Sequence, residues 1–341
     1  ANGVASADDL AAIDVLIDTV QEGVNTLLTN NQSISVNITI VDTETLAAAQ
    51  GYIEIGATTP AGYLLGGNLL VDHDGLTAAQ IVTANEMTAK LISVSGTVSV
   101  TGAVNLGGLS YIAGDYTKNG ALAPFDTTIT SLGANLSVDG KIKTIAFTNL
   151  KSVLGNVAIT NQSSVTSIDF SNVTTVGAAS SIAALNVASA TSVNTGGFIA
   201  TSVTANSATS VVLGQKTAAA LTVNAAKASS VTAPNLTAAT VVSVGAAKAT
   251  EIDFPALETS TSIAISAANS FTVVEFDVLT TGSIDADQTE VLEFHIPKYV
   301  TAAGVLAIKA QTINAAALKT INAAVTFASG SVLGNAVTSI G

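Results

Sequence analysis

A six-residue pattern of apolar, any, apolar, any, any, apolar returns along this chain. It falls at Ile145/Phe147/Leu150, Ile168/Phe170/Val173, Val231/Ala233/Leu236, Ile252/Phe254/Leu257, Val274/Phe276/Leu279, Phe294/Ile296/Tyr299 and Ala316/Leu318/Ile321. The first members lie 23, 63, 21, 22, 20 and 22 residues apart, which sets a unit of about 21 residues and puts three units in the longest interval. Pro234, Pro255 and Pro297 each follow the second apolar residue directly. Proline brings no backbone donor, so a strand ends at the same point of each of these units. A second alternating pair recurs at Leu136/Val138, Val157/Ile159, Leu221/Val223, Val242/Val244, Ile263/Ile265 and Leu306/Ile308, mostly at the same spacing. Two short strands and their turns per unit describe one coil of a β-solenoid. A single coil cannot bury its own apolar side chains, whereas stacked coils share one interior. At about 4.8 Å per coil, about twelve coils from residue 91 to 341 predict a rod about 55 to 60 Å long. Residues 174–216 keep the period poorly and predict irregular coils.

Composition narrows the function. Of the 341 residues 48% are hydrophobic, so a packed core is expected. No apolar run approaches the roughly 18 residues of a membrane span. Charged residues are only 10%, the basic ones are eleven Lys with no Arg, and the net charge is -13. Phosphate recognition relies on Arg forks and a positive field, so nucleic acid is not an expected partner. With no Cys, thiol catalysis, thiolate metal sites and disulfides are impossible. The small-residue start reads as a mature terminus left after cleavage, an expectation of export to the cell surface or beyond. The Ala-rich stretches at 217–228 and 314–324 are expected at tight corners, where small side chains fit.

Residues 1–90 read differently, as an N-terminal α/β capping or assembly segment ahead of a repeat domain at 91–341. Leu10, Ile13, Leu16, Ile17, Val20, Val24, Leu27 and Leu28 share one face of a helix over 8–28. Ser6 and Asp9 resemble a capping box, with Asp8 and Asp14 near the positive end of the helix dipole. Ser33 to Val41 alternates, with Ile34, Val36, Ile38 and Ile40 on one side, and predicts an amphipathic strand. Asp42 or Thr43 is placed to cap a short helix running to Gln50, Gly56 to Gly67 reads as a loop, and Leu76 to Leu91 reads equally as helix or solenoid turn.

The run Asn149 to Ile159, followed by Ser167-Ile168-Asp169-Phe170-Ser171-Asn172-Val173, resembles the leucine-rich-repeat variants of bacterial surface proteins and receptor L domains. The resemblance covers about residues 130–325, with Ala, Val and Ile replacing most Leu. It implies a mainly β, right-handed leucine-rich-repeat-like solenoid, a surface location, and binding or scaffolding without catalytic residues. The acidic Ala, Thr, Ser and Val composition is similar to that of S-layer and extracellular filament subunits.

Candidate sites are few. The outward slot between the first two apolar positions holds Asp253, Glu275 and His295 on successive units, with Asp169 farther away, a column that could take Ca²⁺ or form a solvated polar face. Asp72, His73 and Asp74 before Gly75 form a second polar cluster, readable as metal ligands or as a turn. No cofactor other than such a Ca²⁺ ion is implied. Paired-carboxylate and Ser-His-Asp chemistries lack partners when the only histidines are His73 and His295, so no enzyme is expected. Thr222, Ser243, Ala264 and Asp285 do not make the Thr array that ice binding needs.

Assembly is the remaining theme. Leu10, Ile13, Ile17, Val20, Ile34, Val36, Ile38 and Ile40 are the expected assembly residues, through a segment that either caps its own solenoid or docks on the C-terminal coil of a neighbouring copy. The expected function is a self-assembling structural subunit of an extracellular filament, sheath or surface layer. The alternative is a cell-surface adhesin or carbohydrate-binding module with glycan contacts.

Overall fold

The structure is a computed structural model that describes residues 13, 15–22, 31–56, 62–120, 128–177, 180–182, 184–266, 272–321, 325–327 and 339–340. It is a parallel β-solenoid with coils of about 21 residues, 45% strand and 13% helix. Two compact units, Ala1–Gly114 and Asp115–Gly341, divide the chain. The division lies after residue 114, where the sequence suggested a change near residue 91.

Parallel pairing in the first unit is under way at residue 31. Asn31–Ile34, Gly62–Leu65, Leu91–Val94 and Tyr111–Ile112 stack as one sheet. Ile38–Ile40, Leu69–Asp72 and Val98–Thr101 stack as another. The alternation over 33–41 is therefore two strands around a corner at Ser35 to Asn37, and Gly62–Leu65, expected in a loop, is a rung. Ile34, Ile38 and Ile40, expected at an assembly contact, are buried in their own chain at 5%, 2% and 0% exposure, while Val36 at the corner is exposed. This strand pair thus belongs to the solenoid itself and is filled from within.

Helices occupy the connections in this unit. Thr43–Gln50 starts at Asp42, whose carboxylate accepts the Thr45 N–H at 2.8 Å. Ala78–Thr88 starts at Thr77 in a capping box with Gln80, which resolves the ambiguous stretch as helix. Leu46, Ala49, Ala84 and Met87 face inward. Helical backbone also spans 15–22, whereas Ser6, Asp8, Asp9, Leu10, Asp14, Val24, Leu27 and Leu28 lie outside the described residues. No helix among the described residues is long and apolar enough to cross a membrane.

Corners are held by polar side chains in register. The Asn37 Oδ1 accepts the Asn68 N–H, and the Asn68 Oδ1 accepts the Thr97 N–H, each at 2.8 Å. The second unit repeats the device, since the Asp115, Asn135 and Asn156 side chains accept from the N–H groups of Asn135, Asn156 and Ser181. Each amide therefore satisfies a corner donor of the next coil, where the ladder cannot. Neighbouring corners pass so closely at Gly67 that a Cβ there would meet the Val36 carbonyl oxygen at 2.3 Å.

In the second unit the repeat pattern becomes one ladder of a 17-stranded sheet. Ile145, Ile168, Val193, Val211, Val231, Ile252, Val274, Phe294 and Ile313 stand in register on successive rungs. Val193 and Val211 are the two rungs inside the 63-residue interval, reached by steps of 25 and 18 residues. The last triple needs correction. Phe294 pairs with Ile313, so the unit reads Ile313/Ala315/Leu318, three residues before Ala316/Leu318/Ile321.

Behind each rung lies a buried second position, and aromatic rings share this layer, with Phe147 and Phe170 stacked at 6.0 Å and Phe254 and Phe276 at 5.5 Å. A β-turn follows. Leu236, Leu257 and Tyr299 donate to the carbonyls of Ala233, Phe254 and Ile296, so each repeat-slot proline is the second residue of a turn. The same turn closes on Phe170 and Phe276 without proline.

The second-strand series divides between two sheets. Leu136/Val138 and Val157/Ile159 pair on one. Leu221/Val223, Val242/Val244 and Ile263/Ile265 stack on the other, inside eight-residue strands Thr217–Asn224, Ala238–Gly245 and Thr259–Ser266. The Ala-rich stretch from 217 is thus mostly extended strand rather than corner. Small side chains let adjacent backbones run past a bend without breaking the pairing.

Two buried polar groups differ in how they are satisfied. The Gln215 carboxamide takes the place of a missing strand, accepting the Ala200 N–H at 3.0 Å and donating to the Ala200 carbonyl at 3.1 Å. Thr195 stands in the column between Phe170 and Leu213 with its hydroxyl buried and unpartnered. Thr195→Val is expected to stabilise the second unit by about 1 kcal/mol and Gln215→Leu to destabilise it by about 2 kcal/mol or more. Urea unfolding of the two variants checks both signs.

Candidate functional site

The short strand Glu251–Asp253 turns Ile252 inward and both carboxylates outward. Its register continues the polar slot, since Thr232, Asp253, Glu275, His295 and Asn314 are successive partners. Asp169 stands on the same ladder, separated from Asp253 by Asn194, Val212 and Thr232. The column inferred from the repeat is therefore continuous, and Asp253 and Glu275 place carboxylates on two successive coils of it.

Sequence reasoning missed half of the cluster. Glu251 and Glu293 lie two residues before Asp253 and His295, on the same face by strand alternation. Among the described residues, Glu251, Asp253 and Glu275 are the acidic group whose ligand oxygens gather within 4.8 Å. His295 Nε2 meets Glu293 Oε2 at 2.7 Å. Partial burial and the neighbouring carboxylates of Glu275, Glu251 and Asp277 push the Asp253 carboxyl up to about 6. The group holds a proton more readily than an isolated carboxylate, chiefly because burial disfavours its charged form and then because its neighbours repel a further negative charge.

With one oxygen from each carboxylate converging, the group offers three of the six to eight oxygens that Ca²⁺ takes, so the remainder would have to come from second carboxylate oxygens or water. The face is open. A cavity of about 720 Å³ lies elsewhere, lined by Ser171, Thr174, Asn194, Gly196, Lys216 and Asn235 among others. Another of about 510 Å³ runs along Thr217, Ala239, Thr259 and Thr281.

The second candidate cluster does not converge. The Asp72 carboxylate is used locally, accepting the Asp74 N–H at 3.0 Å at the start of the short helix His73–Gly75. His73 is buried at 6% exposure, its Nε2 lacks a hydrogen-bond partner, and the Cβ of a residue replacing Gly102 would meet its Cβ at 3.0 Å. Burial lowers the pKa of this imidazole, while Asp72 and Asp74 pull it upward. Asp72, His73 and Asp74 thus build a turn with an inward ring, and among the described residues they are not part of the carboxylate group that converges at Glu251, Asp253 and Glu275.

The raised Asp253 carboxyl fixes a pH dependence. A carboxyl whose folded value lies above its unfolded 3.8 favours the folded state most below 3.8, and this contribution is lost as pH rises through about 6. Asp253→Asn is expected to raise the thermal midpoint at pH 7 and to flatten its change between pH 4 and 6. An unchanged pH profile in thermal melts would show that the carboxylates are too well solvated to repel.

No protein-family profile, curated protein or solved structure matches the chain.

Proposed function

We propose that the chain is a structural, non-enzymatic subunit of an extracellular filament, sheath or surface layer, whose copies join head to tail through coil edges. The observation that supports this reading is the outer edge of the first coil. In a parallel ladder the N–H and C=O of one residue point to the same side, and alternate residues serve opposite neighbours. The Ile38 N–H donates to the Asn68 carbonyl at 2.9 Å, and the Ile34 carbonyl accepts the Gly66 N–H at 2.7 Å. Ser33 and Thr39 therefore turn their backbone groups the other way, where no described strand pairs with them.

An open strand edge is a template for another strand. The last described rung, Ser339–Ile340, likewise has a described partner on one side only, Thr320–Ile321. Two different ends that fit each other make a heterologous contact, and such a contact propagates instead of closing. With charged residues at 10%, few like charges are brought together on stacking. The likeness of residues 130–325 to surface leucine-rich repeats, and the S-layer-like composition, favour a place at the cell surface by analogy.

Ser33→Pro combined with Thr39→Pro removes two outer-edge donors and leaves the bonds to the second coil intact. Negative-stain microscopy of the full chain is expected to show polymers, and to show dispersed particles for the double variant with unchanged circular dichroism. Discrete particles of the parent chain at all concentrations, with affinity for glycans, would favour the adhesin reading and overturn the polymer.

A further inference from the structure

The cavity of about 720 Å³ in the second unit lies where coil length changes, and its walls are unlike the acidic face of the short strands. We infer that it is a binding site for a small hydroxylated carboxylate, the chemistry of an acidic sugar. The site uses neither of the strand edges behind the assembly reading and stands whether or not copies join.

The chain leaves this space open by omitting a strand. The seven-stranded sheet ends at Thr175–Val176, which pairs only with Ser152–Val153. One coil later the chain passes from the turn at Thr195 to Ile199–Ala200, and that strand pairs with Ser181–Ile182 on another sheet. The place beside Thr175–Val176 therefore carries no described strand. The Thr175 and Gly177 N–H groups donate to the Lys151 and Val153 carbonyls, so these two residues face the preceding coil. Val176 between them lines the cavity and turns its N–H and C=O the other way, where no described strand pairs with them.

Gly214 supplies a second open backbone donor. Two residues after the outward slot, the Ser171 N–H donates to the Asp169 carboxylate and the Gly196 N–H to the Asn194 amide oxygen, each at 2.9 Å. On later coils Pro234 and Pro255 hold this position and have no N–H. Gly214 keeps its N–H, but the slot residue before it is Val212, whose side chain accepts nothing. Among the described residues this N–H has no hydrogen bond, and Gly214 lines the cavity.

Side chains set the charge. Lys216 is exposed and is the one charged residue lining the cavity, although the chain holds 24 acidic residues against 11 basic ones. The Asn194 amide nitrogen also lacks a partner among the described residues. An ammonium, an amide and two backbone N–H groups thus offer donors to an anion, while Thr174, Thr217 and Asn235 both donate and accept, as sugar hydroxyls require. A single lysine suits a monoanion, whereas phosphate recognition favours the Arg forks this chain lacks. No aromatic residue lines the cavity, so a nucleobase has no stacking platform. The volume falls within the roughly 300 to 1,000 Å³ of small-molecule sites.

The test titrates sodium glucuronate, glucose and inorganic phosphate into the full chain by calorimetry. Glucuronate is expected to bind about tenfold more tightly than glucose or phosphate. Lys216→Gln removes the ammonium. Asn194→Asp keeps an acceptor for the Gly196 N–H, as Asp169 does for Ser171, and places a carboxylate in the cavity. Each is expected to weaken glucuronate about tenfold or more with an unchanged circular dichroism spectrum, and Lys248→Gln, which alters an exposed lysine outside the cavity, to leave it unchanged. Absence of glucuronate binding, equal affinity for glucose or phosphate, retained affinity in Lys216→Gln, or an equal loss in Lys248→Gln overturns the inference.

Discussion

Everything in this fold depends on one sharing arrangement, in which the inward side chains of a coil are covered by the coils before and after it. Ile252 has no exposure because Val231 and Val274 stand directly on either side of it on the ladder. Phe254 is enclosed in the same way, between Ala233 and Phe276. Such a core has no centre that a single coil could form alone, so stability is a sum over neighbouring pairs. It follows that a coil with a described neighbour on one side only, such as the strands Asn31–Ile34 and Ile38–Ile40, keeps backbone groups that no described strand satisfies.

Register is the second requirement, and the corners supply it. A ladder of identical spacing could slip, but an asparagine that must meet the N–H of one particular residue in the next coil allows one alignment. The prolines act in the same sense, since Pro234, Pro255 and Pro297 hold the second position of one recurring turn. Where coil length changes, the polar accounting is less complete. The coil that begins after Ile168 is 25 residues long and the next is 18, and both the unpartnered Thr195 hydroxyl and Ala200, whose backbone is paired by the Gln215 amide of the following coil, lie in this stretch.

The period of the apolar residues made the long ladder legible, because inward positions on stacked coils face the same environment and receive the same residue types. The outward column of Asp253, Glu275 and His295 came with it, since alternation fixes the opposite face. The first coils were hidden for a physical reason. Helices Thr43–Gln50 and Ala78–Thr88 stretch the coil from Asn31 to Gly62 and the coil from Leu69 to Val98 well beyond 21 residues, so the period is lost while the pairing is kept. The corner at Ser35 to Asn37 was hidden because alternation runs straight through it. The eight-residue strands were hidden by their composition, as Ala is depleted in strands generally and is tolerated here by stacking on its own kind. At the C-terminal end Ile313, Ala315, Ala316, Leu318 and Ile321 fit the six-residue pattern in two registers, and only the pairing of Phe294 with Ile313 chooses between them.

Charge is spread unevenly over the described surface. Carboxylates are gathered on the outward face of the short strands, where partial burial first and the neighbouring carboxylates second hold the Asp253 carboxyl above its ordinary value. A second molecule approaching that face side-on would add to the same repulsion, at distances where physiological salt screens only beyond about 8 Å. The outer edge of the first coil instead presents the backbone groups of Ser33 and Thr39, whose side chains are neutral. On the proposed head-to-tail assembly, repulsion at this acidic face and neutrality at the strand edge would favour growth along the stacking direction over lateral clumping.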